Sequence, residues 1–441
     1  MSEEKLGLKE VIAMGVGGMV SGGIYAVLGV AMKQAGNAVP LSFLLAGILT
    51  LLTAYSYVKL TCHFKEKGGA FSYIEHVVAN RHIAGIFGWI LVIGYIGVMA
   101  MYAFAFGSYT LVAMREIFSV ALPQFLRPLI SISIMAVFIG LNIYGVKESG
   151  LYEDIAVYIK IFILLSLAGL GIYFFQGDPA GLSFFNKGYT SPVTAFAIIF
   201  VAYEGFQLLI YDYADIQDAD RNLARGMFIA IFTAILIYVS ISYMATLHLT
   251  PQMLIQHKET ALAKAVSETP ILGTAGFILV IVSALKSTSS GINATLFGSS
   301  RLTHKIATEK ELPRIFSFRD KRGIPVYSLL IIGGASAIFA ALGTLEQITE
   351  FGSIAFLLAD GAANYANLRL YRETDSNPLI PALGLLGVLA AFPIVVYHLY
   401  LTQFQTLAGI GVIFVLILYI EFIHMERKPL KKALHRVEEK I

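Results

Sequence analysis

Apolar residues in this chain gather into long blocks, each about the 20 residues an α-helix needs to cross a lipid bilayer. Twelve such blocks are read, over 8–34, 39–62, 81–113, 127–147, 152–175, 190–214, 225–248, 271–300, 325–344, 347–372, 379–400 and 405–424. Polar or proline-bearing connections separate them, such as Gly177-Asp178-Pro179 and Asp375-Ser376-Asn377-Pro378. The pattern predicts an all-α polytopic membrane protein with twelve transmembrane helices. Several blocks are longer than one crossing requires, which predicts tilt or a break.

The first block holds the chain's strongest irregularity. Gly15-Val16-Gly17-Gly18-Met19-Val20-Ser21-Gly22-Gly23-Ile24-Tyr25 places five glycines in eleven residues. Each glycine costs a helix interior about 1 kcal/mol relative to alanine, and lipid leaves no solvent to satisfy an opened backbone. Two readings follow. The helix breaks where it lines a binding cavity, its free N–H groups available to a carboxylate, or the small residues allow two helices to pack closely. The sixth block repeats the irregularity: Phe200-Val201-Ala202-Tyr203-Glu204-Gly205-Phe206 sets a carboxylate and a glycine in mid-span. Broken helices at positions 1 and 6 mark a fold of two inverted five-helix repeats with substrate at their interface.

Composition agrees. Hydrophobic residues make up 57% and charged residues 14% of the chain, against about 25% charged in a soluble domain. With both termini inside, about two dozen Lys and Arg fall in the inner loops and tails. Lys33, Arg115, Arg127, Lys187, Lys258 and Lys264 fall outside, a bias that supports twelve crossings. The inner set includes Lys65, Lys67, Arg81, Lys147 and the run Arg427-Lys428-Pro429-Leu430-Lys431-Lys432, a solvated end or a contact for anionic lipid. One cysteine, Cys62, excludes an internal disulfide and a cysteine metal cluster. Nine histidines show no helical pair spaced for zinc, and no phosphate-binding loop is present. Glu3, Glu4 and Glu10 beside Lys5 and Lys9 do not make a cleavable signal. An enzyme, a cofactor, a metal and a nucleic-acid partner therefore find no support.

Ionisable residues inside the blocks are candidates for function. Lys160 lies in block 5, Glu204 in block 6, Lys286 in block 8 and Asp360 in block 10. Glu204 and Lys286 are expected to form an intramembrane pair, each lowering the other's burial cost, or else to meet a charged substrate separately. Asp360 stays unassigned.

Several stretches carry a family resemblance. They are the block 1 run ending Gly23-Ile24-Tyr25, Gly68-Gly69-Ala70-Phe71-Ser72-Tyr73 after block 2, Ala214-Asp215-Ile216-Gln217-Asp218-Ala219-Asp220-Arg221-Asn222-Leu223-Ala224-Arg225 after block 6, and Ser287-Thr288-Ser289-Ser290-Gly291-Ile292-Asn293-Ala294 in block 8 with Ser300-Arg301 and Glu311-Leu312-Pro313 beyond it. In order and spacing they resemble an amino-acid permease of the amino acid–polyamine–organocation superfamily, of the sodium-independent, proton-coupled type. The likeness covers blocks 1–10; blocks 11 and 12 fit by hydropathy alone. Ser21, Ala219, Ala224, Glu204 and Lys286 depart from the family pattern, the last two at positions that bear on the substrate side chain.

The resemblance implies a secondary active amino-acid transporter of the cell (inner) membrane, with proton symport and alternating access, or a sodium-independent exchanger or uniporter of amino acids or amines. It implies a first repeat over 1–175, a second over 190–372, two further helices over 379–424 and a basic cytoplasmic tail over 425–441. The backbone of Val20, Ser21, Gly22, Gly23 and Ile24 would take the substrate carboxylate, with the Ser21 hydroxyl as an added donor. Carbonyls near Phe200, Val201 and Tyr203 would take the ammonium. Phe200 or Tyr203 would form a lid or simply pack. Glu204, Gln207, Met99, Tyr102 and Ala359 would face the side chain. Lys160 resembles the helix 5 lysine of sodium-independent members, and is either the proton carrier or a fixed strut replacing a bound ion. Asp215, Asp218, Arg221 and Arg225 would form an inner gate with Arg301 or Lys305, or stay solvated.

Overall fold

The computed structural model describes residues 5–65, 69–78, 80–145, 150–179 and 182–438. Glu3, Glu4, Lys67, Gly68 and Lys147 lie outside them, as do the side chains of Arg81 and of the basic run 427–432. Seventeen α-helices are present among the described residues. They are α1 (Leu8–Met19), α2 (Gly23–Ala35), α3 (Val39–Phe64), α4 (Ala70–Val78), α5 (Arg81–Glu116), α6 (Leu126–Tyr144), α7 (Gly150–Tyr173), α8 (Ser191–Ile199), α9 (Leu208–Tyr211), α10 (Ala219–His248), α11 (Pro251–His257), α12 (Ala261–Ser267), α13 (Gly273–Thr308), α14 (Val326–Leu342), α15 (Leu345–Arg369), α16 (Leu379–Thr402) and α17 (Phe404–Glu438). No strand is present among the described residues, only a bridge between Leu6 and Ile216.

Among the described residues, nine helical stretches are long and apolar enough to cross a membrane. One, Gly23–Phe64, joins α2 to α3 and so takes in the end of the first expected block and all of the second. Expected blocks 9 and 10 fall on helices that miss this measure. Helix α14 has 17 residues, and α15 carries Glu346, Glu350 and Asp360. The last helix runs on through Glu438, beyond the expected end at 424.

Blocks 1 and 6 are both broken. Block 1 is α1 and α2 separated by Val20–Gly22. Block 6 is α8, a 3-10 turn over Phe200–Tyr203, and α9. These segments lie at the centre, walled by α3, α5, α10, α13 and α15. Helix α5 packs along both α13 and α15, and α10 along α1 and α3. The rows facing lipid stay apolar and exposed, as Phe162, Leu342 and Leu389 do. No hydrophobic force separates such side chains from lipid tails, so the interior is marked by close backbone contacts and buried hydrogen bonds.

Both ends of the central segments are tied. Leu6 bonds the loop after α9 through its N–H to the Asp215 carbonyl (2.8 Å), and its carbonyl accepts from Gln217 N–H (2.9 Å). At the opposite end Glu346 on α15 joins Lys33 on α2 at 2.8 Å and Lys258 at 3.4 Å.

Candidate functional site

The break in block 1 leaves two helix ends facing each other inside the protein. Helix α2 begins with no side-chain cap, and its first intrahelical bond runs from Ala26 N–H to the Gly22 carbonyl at 2.8 Å. The N–H groups of Gly23, Ile24 and Tyr25 thus have no acceptor within the helix, and all three residues are buried. At the end of α1 the loose carbonyls meet hydroxyls. Ser21 donates to the Gly17 carbonyl, Tyr102 to Gly18 at 3.2 Å, and Tyr238 lies 2.7 Å from the Met19 carbonyl. Ser21 is therefore not a free donor as expected, because its hydroxyl folds back on its own helix.

Glycine is required here for close approach. A Cβ on Gly22 would lie 2.0 Å from Tyr102 Cδ1, and one on Gly291 of α13 would lie 2.8 Å from the same ring. The Tyr102 ring therefore sits between the break and α13. A Cβ on Gly18 would lie 2.7 Å from the Gly205 carbonyl oxygen, so the two broken segments touch backbone to backbone.

The break in block 6 is longer and differently held. Val201 N–H donates to Ser353 Oγ (3.0 Å), which donates to the Ile198 carbonyl (2.6 Å). The Ala202 carbonyl lies 2.9 Å from the Tyr238 hydroxyl, which thereby reaches both breaks. Tyr203 is anchored to the Phe43 carbonyl on α3 at 2.8 Å and packs edge-on against Tyr238. It packs as part of the wall here, and Phe200 is equally buried. Beyond the 3-10 turn Glu204 is extended and Gly205 has φ +117°, which turns the chain toward α9. Gln207 staples this turn, accepting from Gly205 N–H at 3.0 Å and donating to the Glu204 carboxylate.

Glu204 is 1% exposed and Asp360, on α15, is 0% exposed. The two carboxyls lie within electrostatic reach of each other, with Gln207 beside both. Tyr57 donates to Asp360 at 3.2 Å. The expected Glu204–Lys286 pair is replaced by this arrangement. The extended backbone at Glu204 carries its side chain to Gln207 and Asp360, whereas the Lys286 side chain is exposed on α13 and within reach of Lys160.

Lys160 is 7% exposed on α7. Val157, one turn earlier on the same face, is the residue that a Cβ on Gly17 would meet at 3.2 Å, so Lys160 stands beside the α1 end of the break. Met99 and Ala359 are fully buried. At the expected inner gate Arg301 lies over the Phe297 ring at 3.7 Å, within reach of Asp212 and Asp215, and Lys305 pairs with Glu309 at 3.7 Å.

From Asp360 a polar stripe continues along α15. Asn364 accepts from Ser56 (2.7 Å) and donates to Thr53 (2.9 Å) on α3, and Asn367 accepts from Thr374 and Ser376 (both 2.9 Å). Tyr238, Ser353 and this stripe escaped the sequence reading. Their signal, single polar residues in otherwise apolar blocks, is present but does not say what each one bonds.

Comparison with known proteins bears on the whole of this architecture. Residues 6–428 match the family model described as amino acid permease. The chain is similar to an uncharacterized protein of Methanocaldococcus jannaschii, 29% identical over 98% of both chains. It is similar to an inner membrane transport protein of Escherichia coli, 27% identical over 90% of both. A mitochondrial cationic amino acid transporter of Arabidopsis thaliana is 26% identical over 79% of this chain and 59% of its own length. Among solved structures, a manganese transporter of Eremococcus coleocola shares the fold, with TM-score 0.60, 14% identity and coverage of 96% of this chain and 94% of that one.

Proposed function

The chain belongs to the amino acid permease family, and from that premise we propose that it carries amino acids by proton symport through alternating access. The observation that carries the reading is the uncapped, buried start of α2. The free N–H groups of Gly23 and Ile24, with that of Gly22 at the cap position before them, receive the substrate carboxylate at the positive end of a helix. The ammonium takes carbonyls at the ends of α1 and the Phe200–Tyr203 turn, displacing the hydroxyls of Tyr102 and Tyr238 that cover Gly18, Met19 and Ala202. Such a cradle holds a zwitterion with backbone alone and leaves the side chain to the surrounding helices. Val20 and the Ser21 backbone complete its floor.

The resting structure has the Tyr102 ring against Gly22, so binding requires that ring to swing. Twelve crossings with both termini cytoplasmic, in a cell membrane, fit the charge bias of the loops. The repeats over 1–175 and 190–372 rock about the Gly18–Gly205 contact. Lys160, buried beside the α1 end, loads a proton from one side and releases it on the other as its surroundings change. The competing role, a permanently charged strut, gives exchange or uniport instead.

Uptake of a radiolabelled amino-acid panel, cationic members included, into proteoliposomes decides between them. Symport requires uptake to rise with an inward proton gradient, and Lys160→Ala to lose that response while still binding substrate. Gradient-independent uptake that needs amino acid inside would make Lys160 a strut. Absence of transport for the whole panel would remove the reading.

A further inference from the structure

Glu204 and Asp360 are both fully buried, and neither has a role in the cradle. Each carboxyl has one oxygen held by a donor, Gln207 for Glu204 and Tyr57 for Asp360. Each also has one buried oxygen, Glu204 Oε1 and Asp360 Oδ2, with no hydrogen-bond partner. The polar groups that face them are Tyr57 on α3, Tyr95 and Tyr102 on α5, Gln207 before α9 and Tyr211 within it. The Tyr95 and Tyr211 hydroxyls bond each other at 3.0 Å. None of these is a cation.

Two carboxylates buried within reach of each other, with no positive charge among the groups that face them, do not both ionise. A proton on either one turns an orphan acceptor into a donor and removes the like-charge repulsion. A metal or alkali cation is a poorer fit, since such ions take about six oxygens and here one oxygen of each carboxyl already faces a donor. We propose that Glu204 and Asp360 form one carboxyl pair holding a single exchangeable proton, a second proton site distinct from Lys160.

The site is placed to act on the cradle. Gly205, the next residue after Glu204, is the one whose backbone touches Gly18 at the first break. Asp360 heads the polar stripe that joins α15 to α3. Gaining or losing the shared proton therefore changes the charge at the contact between the two broken segments. The proton comes from bulk water and returns to it, and no other bond is made or broken. The inference rests on the transport reading for its purpose, but its test does not.

The test is a pH titration of the carboxylic-acid C=O stretch by infrared difference spectroscopy on the full chain in lipid, for wild type, Glu204→Gln, Asp360→Asn and the double variant. Thermal melts confirm that each is folded. The pair predicts a protonated-carboxyl band that is missing in the double variant. In each single variant its midpoint falls by about one pH unit or more, because the like-charged neighbour is gone. If Asp360→Asn does not fold, Glu204→Gln alone decides through the midpoint of the remaining Asp360. A difference spectrum identical in wild type and double variant would overturn the proposal. So would single-variant midpoints equal to wild type, or loss of the band on adding sodium or potassium, which would make the site a cation site. Lys160→Ala keeps the band under the proposal whether or not that lysine carries a proton, so failure of the symport reading is seen separately.

Discussion

The two broken segments solve the same problem in different ways. At the first, three residues interrupt the helix, and the carbonyls of Gly17, Gly18 and Met19 meet the hydroxyls of Ser21, Tyr102 and Tyr238. No carboxyl lies within this break, and the ammonium nearest to it is that of Lys160, on α7 beside the α1 end. At the second, eight residues from Phe200 to Gln207 lie outside α-helix, and a buried carboxylate is stapled into the turn by Gln207. An unmet backbone group in an apolar interior costs several kcal/mol, so both breaks need partners. Neutral hydroxyls hold the first, which suits the zwitterion site proposed there. The second holds a buried carboxyl with one orphan oxygen, the feature from which its sensitivity to protons is proposed. On the proposed reading, the difference makes the first break the one that holds substrate and the second one that a shared proton would switch.

The largest effect expected is at the contact between them. Gly205 has φ +117°, and a Cβ there would lie 2.7 Å from the backbone of Gly18. Gly205→Ala combines backbone strain with an overlap that neither chain can yield, each worth about 1–3 kcal/mol. It should lower the melting temperature sharply and abolish uptake. Gly22→Ala sharpens the comparison. Its φ is −134°, and the obstacle is a side chain, the Tyr102 ring, rather than backbone. Gly22→Ala should keep most of the melting temperature and lose substrate affinity. Equal melting losses for the two would mean that the first break is as rigid as the second.

Next in size is Tyr238→Phe. One hydroxyl lies within 2.9 Å of carbonyls on both breaks, Met19 and Ala202. It has a single proton, so it serves them in turn. Its removal leaves buried carbonyls uncovered, at about 1–3 kcal/mol. Thermal unfolding should show that loss, and uptake should fall with it because both halves of the cradle slacken. A variant as stable as wild type would show that the tie between breaks is packing of the Tyr203 and Phe43 rings on Tyr238 rather than the bond.

Much of this was legible in the residues. Five glycines around Val20 and the pairing of Glu204 with Gly205 in a hydrophobic run located both breaks, because glycine and an extended residue after a short turn are what a broken helix needs. The buried position of Lys160 followed from its place in an apolar block. The partner of Glu204 did not. Choosing Lys286 assumed that opposite charges in neighbouring blocks meet, but a one-residue change of direction at Gly205 decides which wall a side chain faces, and hydropathy does not encode it. Likewise Ser21 is expected from sequence to donate to substrate, but its hydroxyl also reaches the carbonyl four residues back, and sequence does not choose between the two. Helix α15 shows the converse. Its acids lower its hydropathy below that of a membrane span, yet Asp360, Asn364 and Asn367 form one stripe facing α3, so their polarity is turned inward.

The smallest effect expected is also the most specific to the holding break. Tyr102 contributes a ring against Gly22 and Gly291 and a 3.2 Å bond to the Gly18 carbonyl. Tyr102→Phe keeps the ring and removes only the bond, about 0.5–1.5 kcal/mol. That bond must be given up when substrate ammonium takes the carbonyl. Its loss in the empty protein therefore offsets part of what binding costs, and affinity should stay within about threefold of wild type or rise. Tyr102→Ala removes the ring and opens the space it fills, so affinity should fall while Gly22→Ala in the same background becomes harmless. Direct binding of labelled amino acid to the purified variants measures both. A Phe variant that binds as poorly as the Ala variant would mean that the hydroxyl, not the ring, is what substrate meets, and that this break holds its ligand through a side chain rather than through backbone.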